Sequence, residues 1–185
     1  KNMLLTANSP SQTSNAYRTI KKVAVLGSGV MGSRIACHFA NIGVKVLLLD
    51  IVPKDAPAGD KAARNKIVND ALTFAIKGKP APLYVDESAK LIETGNFDDD
   101  FAKIKDCDWV LEAVVERSDI KKLIYEKVEK YRKPGSLITS NTSGIPMSML
   151  AAGQSEDFRR NFLGTHFFNP PRYLRLLEII PCPDT

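Results

Sequence analysis

Polar and apolar residues change their spacing several times along the chain, and each change marks an element. From residue 2 to 19 there is no period; Asn8-Ser9-Pro10-Ser11-Gln12-Thr13-Ser14-Asn15 is a polar run, so residues 1–20 are expected to be a flexible leader. Val23-Ala24-Val25-Leu26 is then a short unbroken apolar block, the pattern of a strand buried on both faces. Glycines follow it. Arg34 to Ile42 puts Ile35, Ala36, Phe39 and Ala40 on one side, as a helix would, and Val44 to Leu49 is a second buried strand closed by Asp50.

The stretch Pro53 to Gly59 reads as a loop, Asp60 to Lys77 as a charged helix and Asp86 to Ile92 as a further helical piece. Together these predict an inserted helical hairpin. An edge strand is expected around Leu91 to Phe97, and Asp98 is placed to cap a brief helix to Ile104. Trp109 to Val115 is the next strand, and Ser118 to Tyr131 an amphipathic helix ended by Pro134-Gly135. Leu137 to Ser140 is a strand, Met147 to Ala152 a short helix, and Phe162 to Phe168 and Leu176 to Ile180 are the last strands. Strands alternating with helices predict an α/β fold: a Rossmann-like, doubly wound, mainly parallel sheet over residues 21–185.

Composition narrows the chemistry. With 185 residues, 44% hydrophobic and 25% charged, the chain fits one globular domain with a sizeable core. The net charge of +5 is mild and its basic residues are scattered among acidic ones, which argues against a nucleic-acid partner and suits a small anionic ligand. Cys37, Cys107 and Cys182 are far apart, and His38 and His166 are too few and too distant to complete a metal site by spacing. No apolar run is long enough to span a membrane and the first residues lack a signal-peptide core, so a cytoplasmic protein without membrane insertion is expected.

Gly27-Ser28-Gly29-Val30-Met31-Gly32 fits GxGxxG. Alone that pattern is weak, but here it follows a strand, opens a helix, and has the acidic Asp50 at the end of the next strand, the context of a dinucleotide site. Gly27 would permit the tight turn, Gly29 would let the backbone approach the pyrophosphate, and Gly32 would let helix and strand pack closely. The helix N-terminus offers free N–H groups to phosphate, and Val30 and Met31 of the turn are expected among the cofactor residues. Asp50 can accept from both ribose hydroxyls and would repel a 2′-phosphate, so NAD is expected in preference to NADP.

Five spaced motifs carry a wider resemblance. They are the glycine motif, Leu111-Glu112-Ala113-Val114-Val115-Glu116, Ser140-Asn141-Thr142-Ser143, Gly164-Thr165-His166-Phe167-Phe168-Asn169-Pro170, and Leu176-Leu177-Glu178-Ile179-Ile180. In this order, over Val23 to Ile180, the chain resembles the L-3-hydroxyacyl-CoA dehydrogenases of fatty-acid β-oxidation. The resemblance implies that His166 is the catalytic histidine and Glu178 its partner. Ser143 and Asn169 would lie at the substrate, Ser143 also near the nicotinamide. Glu116, Lys121 and Asn141 would join the cofactor residues. It implies an acyl-CoA thioester substrate, with Lys77 or Lys79 as candidates for the coenzyme A phosphates.

Such proteins carry a second, helical dehydrogenase domain after this region, which often makes a homodimer; it is expected here as a partner absent from this chain. Arg34 stands where the family usually has glycine, and the long stretches from Asp50 to the Trp109 strand and from Ser143 to His166, with Asn169-Pro170-Pro171-Arg172-Tyr173, are more like large multifunctional β-oxidation enzymes. Two other functions share these motifs: a 3-hydroxybutyryl-CoA dehydrogenase working as a reductase, and a nucleotide-binding module inactive by itself.

Overall fold

The computed structural model describes residues 18–185; most of the expected leader lies outside them. Arg18 donates from its guanidinium to the Gly135 carbonyl, and Ile20 packs on the core. The sheet has seven strands: β1 (Lys22–Leu26), β2 (Lys45–Asp50), β3 (Ile92–Asn96), β4 (Trp109–Glu112), β5 (Leu137–Ser140), β6 (Phe162–Phe167) and β7 (Leu177–Pro181). Their order is β3-β2-β1-β4-β5-β6-β7, all parallel except β7, which runs antiparallel to β6. This is the doubly wound order, reversing direction between β1 and β4, where such sheets bind ligands.

The unbroken apolar blocks become the central strands because both their faces are covered. Val23 and Val25 point into one core layer, with Ile35 and Phe39 of α1 (Val30–Asn41). Ala24 and Leu26 point into the other, with Ile124, Tyr125 and Val128 of α4 (Ser118–Tyr131). The helices named in between are α2 (Lys61–Arg64) and α3 (Lys66–Lys77), and those that follow are α5 (Met147–Ala151) and α6 (Glu156–Arg160).

Several elements differ from the sequence expectation, each for a local reason. Helix α1 begins at Val30, a turn before Arg34, because Gly32 sits inside its first turn against the Gly27 carbonyl. The charged helix over Asp60 to Lys77 is two helices. They break at Asn65, a buried side chain whose oxygen accepts from Asn96 Nδ2 at 2.7 Å. The second arm of the expected hairpin is a 3-10 turn, Asp86–Leu91, rather than an α-helix. Asp98 caps nothing; the brief helix is a 3-10 turn, Phe101–Asp106, that starts after Asp100. Strand β4 stops at Glu112, short of Val115, because the Glu112 carboxylate turns back to accept from the Val114 N–H at 2.8 Å. Helix α6 was not anticipated, although Ser155 caps it from Oγ to the Phe158 N–H at 3.1 Å.

Candidate active site

At the reversal of the sheet the glycine turn leaves β1 and enters α1. Gly27 has φ +99, a left-handed conformation that favours glycine, and a Cβ there would lie 2.6 Å from the Ala113 carbonyl oxygen. A Cβ on Gly32 would fall 1.8 Å from the Gly27 carbonyl oxygen. One on Gly29 would meet nothing within 4 Å. The first and third glycines are thus demanded by the protein's own packing, whereas the second keeps a space clear. Helix α1 has no side-chain cap at Gly29, so its first-turn N–H groups are available to a phosphate.

That space opens into a cavity of about 640 Å³, the size of a small-ligand site. Gly27, Gly29, Val30 and Met31 line one side of it and Asp50 the end of β2. Glu116, Lys121 and Asn141 line the other side, across the switch point. The sequence reading did not include Ile51, Phe97, Val114, Val115 and Ile120, which supply apolar walls. Asp50 Oδ2 accepts from the Ser28 N–H at 2.6 Å and from the Ser28 hydroxyl, and Oδ1 from the Ile51 N–H at 2.7 Å. A carboxylate has about four acceptor positions, so capacity for a ribose hydroxyl is left. These features fit an adenine dinucleotide: free helix N–H groups for its phosphates, a carboxylate for its ribose, and apolar walls for its rings.

Beneath the cavity lies a buried polar network. Glu112 is 0% and Lys121 1% exposed, paired at 2.7 Å. Glu112 also accepts from Tyr125 OH at 2.8 Å and Ser140 Oγ at 2.6 Å. Burial pushes the Tyr125 phenol well up, so it stays protonated and donates. Lys121 is therefore no solvated surface charge; its ammonium also lies 3.3 Å from Glu116. Burial by itself would push the Glu116 carboxyl up. The Thr142 hydroxyl, the Gly144 N–H at 3.0 Å and the Lys121 charge outweigh it and hold the group below the usual carboxylate range. Through the Ser143 N–H at 3.2 Å and that of Gly144, Glu116 fixes the backbone of the loop carrying Ser143.

The second cluster is on the β6–β7 hairpin. His166 and Glu178 are direct antiparallel partners, and His166 Nδ1 lies 2.7 Å from Glu178 Oε2. The imidazole is 20% and the carboxylate 50% exposed, and Phe168 packs against the ring at a centroid distance of 4.5 Å. Asn141 ties the clusters together, its side-chain oxygen accepting from the Phe167 N–H at 2.9 Å. Ser143 and Asn169 are exposed, and neither side chain has a hydrogen bond among the described residues. His166, Glu178, Ser143 and Asn169 do not line the dinucleotide cavity. His38 lies apart from the site, its Nδ1 buried without a partner and its pKa lowered by burial.

Residues 22–185 match the family described as 3-hydroxyacyl-CoA dehydrogenase, NAD binding domain. The chain is 52% identical over 166 residues to a "Probable 3-hydroxyacyl-CoA dehydrogenase" of Deinococcus radiodurans, covering 90% of this chain and 46% of that protein. It is 49% identical over 178 residues to a Bacillus subtilis protein of the same name, covering 91% of this chain and 23% of the relative. It thus spans about a quarter to a half of the length of these relatives. The solved structure of an (S)-3-hydroxybutyryl-CoA dehydrogenase from Ralstonia eutropha superposes with a TM-score of 0.68 at 28% identity, covering 90% of this chain and 56% of that one. With its sheet order, its glycine turn and the match over residues 22–185, the chain belongs to the family of NAD-binding domains of 3-hydroxyacyl-CoA dehydrogenases.

Proposed function

We propose that this domain serves the NAD-dependent oxidation of the 3-hydroxyl of an L-3-hydroxyacyl-CoA to the 3-ketoacyl-CoA, in fatty-acid β-oxidation in the cytoplasm. The observation that carries this reading is the 2.7 Å contact between His166 Nδ1 and Glu178 Oε2. If Nδ1–H donates to the carboxylate, Nε2 holds a lone pair, and it has no hydrogen-bond partner among the described residues. Nε2 then takes the hydroxyl proton of the substrate as the C3–H bond breaks. Glu178 stabilises the imidazolium and keeps the ring oriented. Ser143 and Asn169 orient the substrate oxygen. Bound NAD supplies the acceptor for the hydride leaving C3. Run backwards, the imidazolium returns the proton to the forming alkoxide, so the same groups serve a reductase; the likeness to the Ralstonia 3-hydroxybutyryl-CoA dehydrogenase supports a short acyl chain in that second reading.

A second cavity, of about 380 Å³, lies on the α3 side of the glycine turn, between Val30, Ser33 and Arg34 on one wall and Ala71 and Phe74 on the other. A Cβ on Gly78 would lie 3.3 Å from an Arg34 guanidinium nitrogen, so Arg34 sits beside Gly78, which Lys77 and Lys79 flank, and it has no ion pair among the described residues. This basic group is where the coenzyme A phosphates would bind. The exposed apolar side chains of β7, among them Leu177, Ile179 and Ile180, support a further domain packed on that edge, as does the greater length of the relatives. In the longer protein a homodimer would form through that domain.

The test is His166→Gln in the full-length protein. The kcat should fall by roughly 10²–10⁴ while NADH affinity is unchanged. An unaltered kcat would remove His166 from the reaction.

A further inference from the structure

The sequence after the histidine block, Pro170-Pro171-Arg172-Tyr173, has no part in the chemistry above, yet it holds a dense set of contacts. The side-chain hydrogen bonds of Arg172 and Tyr173 reach one short piece of backbone, the return arm of the insertion at Ala81 to Tyr84. Pro80 and Pro82 lack N–H groups, so this arm cannot pair as a strand, and its carbonyls need partners from elsewhere. Arg172 Nη1 donates to the Ala81 carbonyl at 2.7 Å and to the Leu83 carbonyl at 2.5 Å. Tyr173 OH donates to the Ala81 carbonyl at 3.0 Å. Asn41, at the end of α1, takes what remains, donating to the Pro82 carbonyl at 2.8 Å and accepting from the Tyr84 N–H at 2.8 Å.

The guanidinium also lies over two rings, 4.4 Å from the centroid of Tyr84 and 5.0 Å from that of Tyr173. No acidic group pairs with Arg172 among the described residues, and the hydrogen bonds it makes there, both from Nη1, go to backbone carbonyls. The turn it stands on is closed by the Pro170 carbonyl, which accepts from the Tyr173 and Leu174 N–H groups, both at 2.9 Å. On the other side Phe167 meets Phe39 and His38 of α1 edge-on, at 6.2 and 6.3 Å. The connection from β6 to β7 is thereby held between α1 and the insertion.

We propose that Arg172 and Tyr173 are positioning residues, a clamp that fastens the β6–β7 connection to the insertion. The clamp sets the alignment of His166, Glu178 and Asn169. This rests on the reading of His166 and Glu178 as the reacting pair. Neither Arg172 nor Tyr173 lines the dinucleotide cavity, so the clamp acts on the proton-transfer pair and leaves cofactor affinity alone. Arginine is needed because its planar guanidinium stacks on two rings while Nη1 donates to both carbonyls, and an ammonium has no plane to stack.

The experiment compares wild type with Arg172→Gln, Arg172→Lys and Tyr173→Phe. The chain has two histidines, and only His166 has a carboxylate partner at Nδ1, so its Nδ1–H is one assignable low-field proton resonance in the 185-residue chain. In Arg172→Gln that resonance should broaden into exchange with water while NADH affinity stays within about twofold. In the full-length protein kcat should fall roughly ten- to a hundredfold with the KM for NADH unchanged. Arg172→Lys should not restore it, and Tyr173→Phe should give a smaller loss of the same kind. An unchanged resonance and kcat in Arg172→Gln would overturn the clamp. A parallel loss of NADH affinity would also overturn it, since general loosening of the fold would then be the cause. Loss of the resonance in Arg172→Gln alongside full activity of His166→Gln would keep the clamp as geometry and reject the reacting pair instead.

Discussion

At the scale of single residues, the site is organised by charges that have partners. Lys121 and Glu112 are buried together, and removing one leaves the other uncompensated in a low-dielectric core. Lys121→Met is therefore expected to destabilise the fold by about 3–5 kcal/mol, read by urea denaturation; a loss below about 1 kcal/mol would mean that the pair is replaceable. Glu116 gives a pH dependence with a definite sign. Its carboxyl is held below its unfolded value, so its contacts stabilise the fold above the ordinary carboxylate range and are lost as pH falls through the lowered value. The stability gap between wild type and Glu116→Gln should be largest near neutral pH and shrink in acid; a gap independent of pH would contradict this. The placement of His166 beside Glu178, and of Asp50 and Glu116 at the cavity, was legible in the sequence from the motifs and strand ends that carry them. The Ser28 bonds to Asp50 and the Thr142 bond to Glu116 were not, since serine and threonine carry no spacing signal of their own.

At the scale of elements, strands buried on both faces were the easiest to read, because a block such as Val23 to Leu26 is unbroken. Helix boundaries were harder wherever a tertiary contact overrode local preference. Asn65 splits one expected helix for a buried bond to Asn96, and glycine inside the first turn of α1 hides its true start. The glycine turn provides a paired test of that junction. Gly32→Ala forces a Cβ against the Gly27 carbonyl oxygen and should cost about 3 kcal/mol of stability in urea denaturation. Gly29→Ala meets no protein atom, so its stability should barely change while NADH affinity falls tenfold or more, about 1.4 kcal/mol. If both variants lost only stability, the turn would be a packing device and not a phosphate site.

At the scale of the molecule, one sheet carries the cofactor side at the β1–β4 reversal and the His166–Glu178 pair on its antiparallel β6–β7 hairpin, with Asn141 bonded to the Phe167 N–H between them. That the sheet is doubly wound and mainly parallel followed from the alternation of strand and helix. The antiparallel turn of β7 did not, because a short apolar run carries no direction. Under the proposed function the 185 residues by themselves should bind NADH yet reduce acetoacetyl-CoA slowly, since the apolar face of β7 is uncovered. The central claim is a dinucleotide site that reads the ribose through Asp50, and calorimetric titration with NADH and with NADPH, on wild type and Asp50→Ala, tests it most directly. The expected result is NADH binding at least about tenfold tighter than NADPH, with that preference lost in the variant while its melting temperature shows it still folded. Equal affinity for the two nucleotides in wild type, or binding of neither, would contradict it.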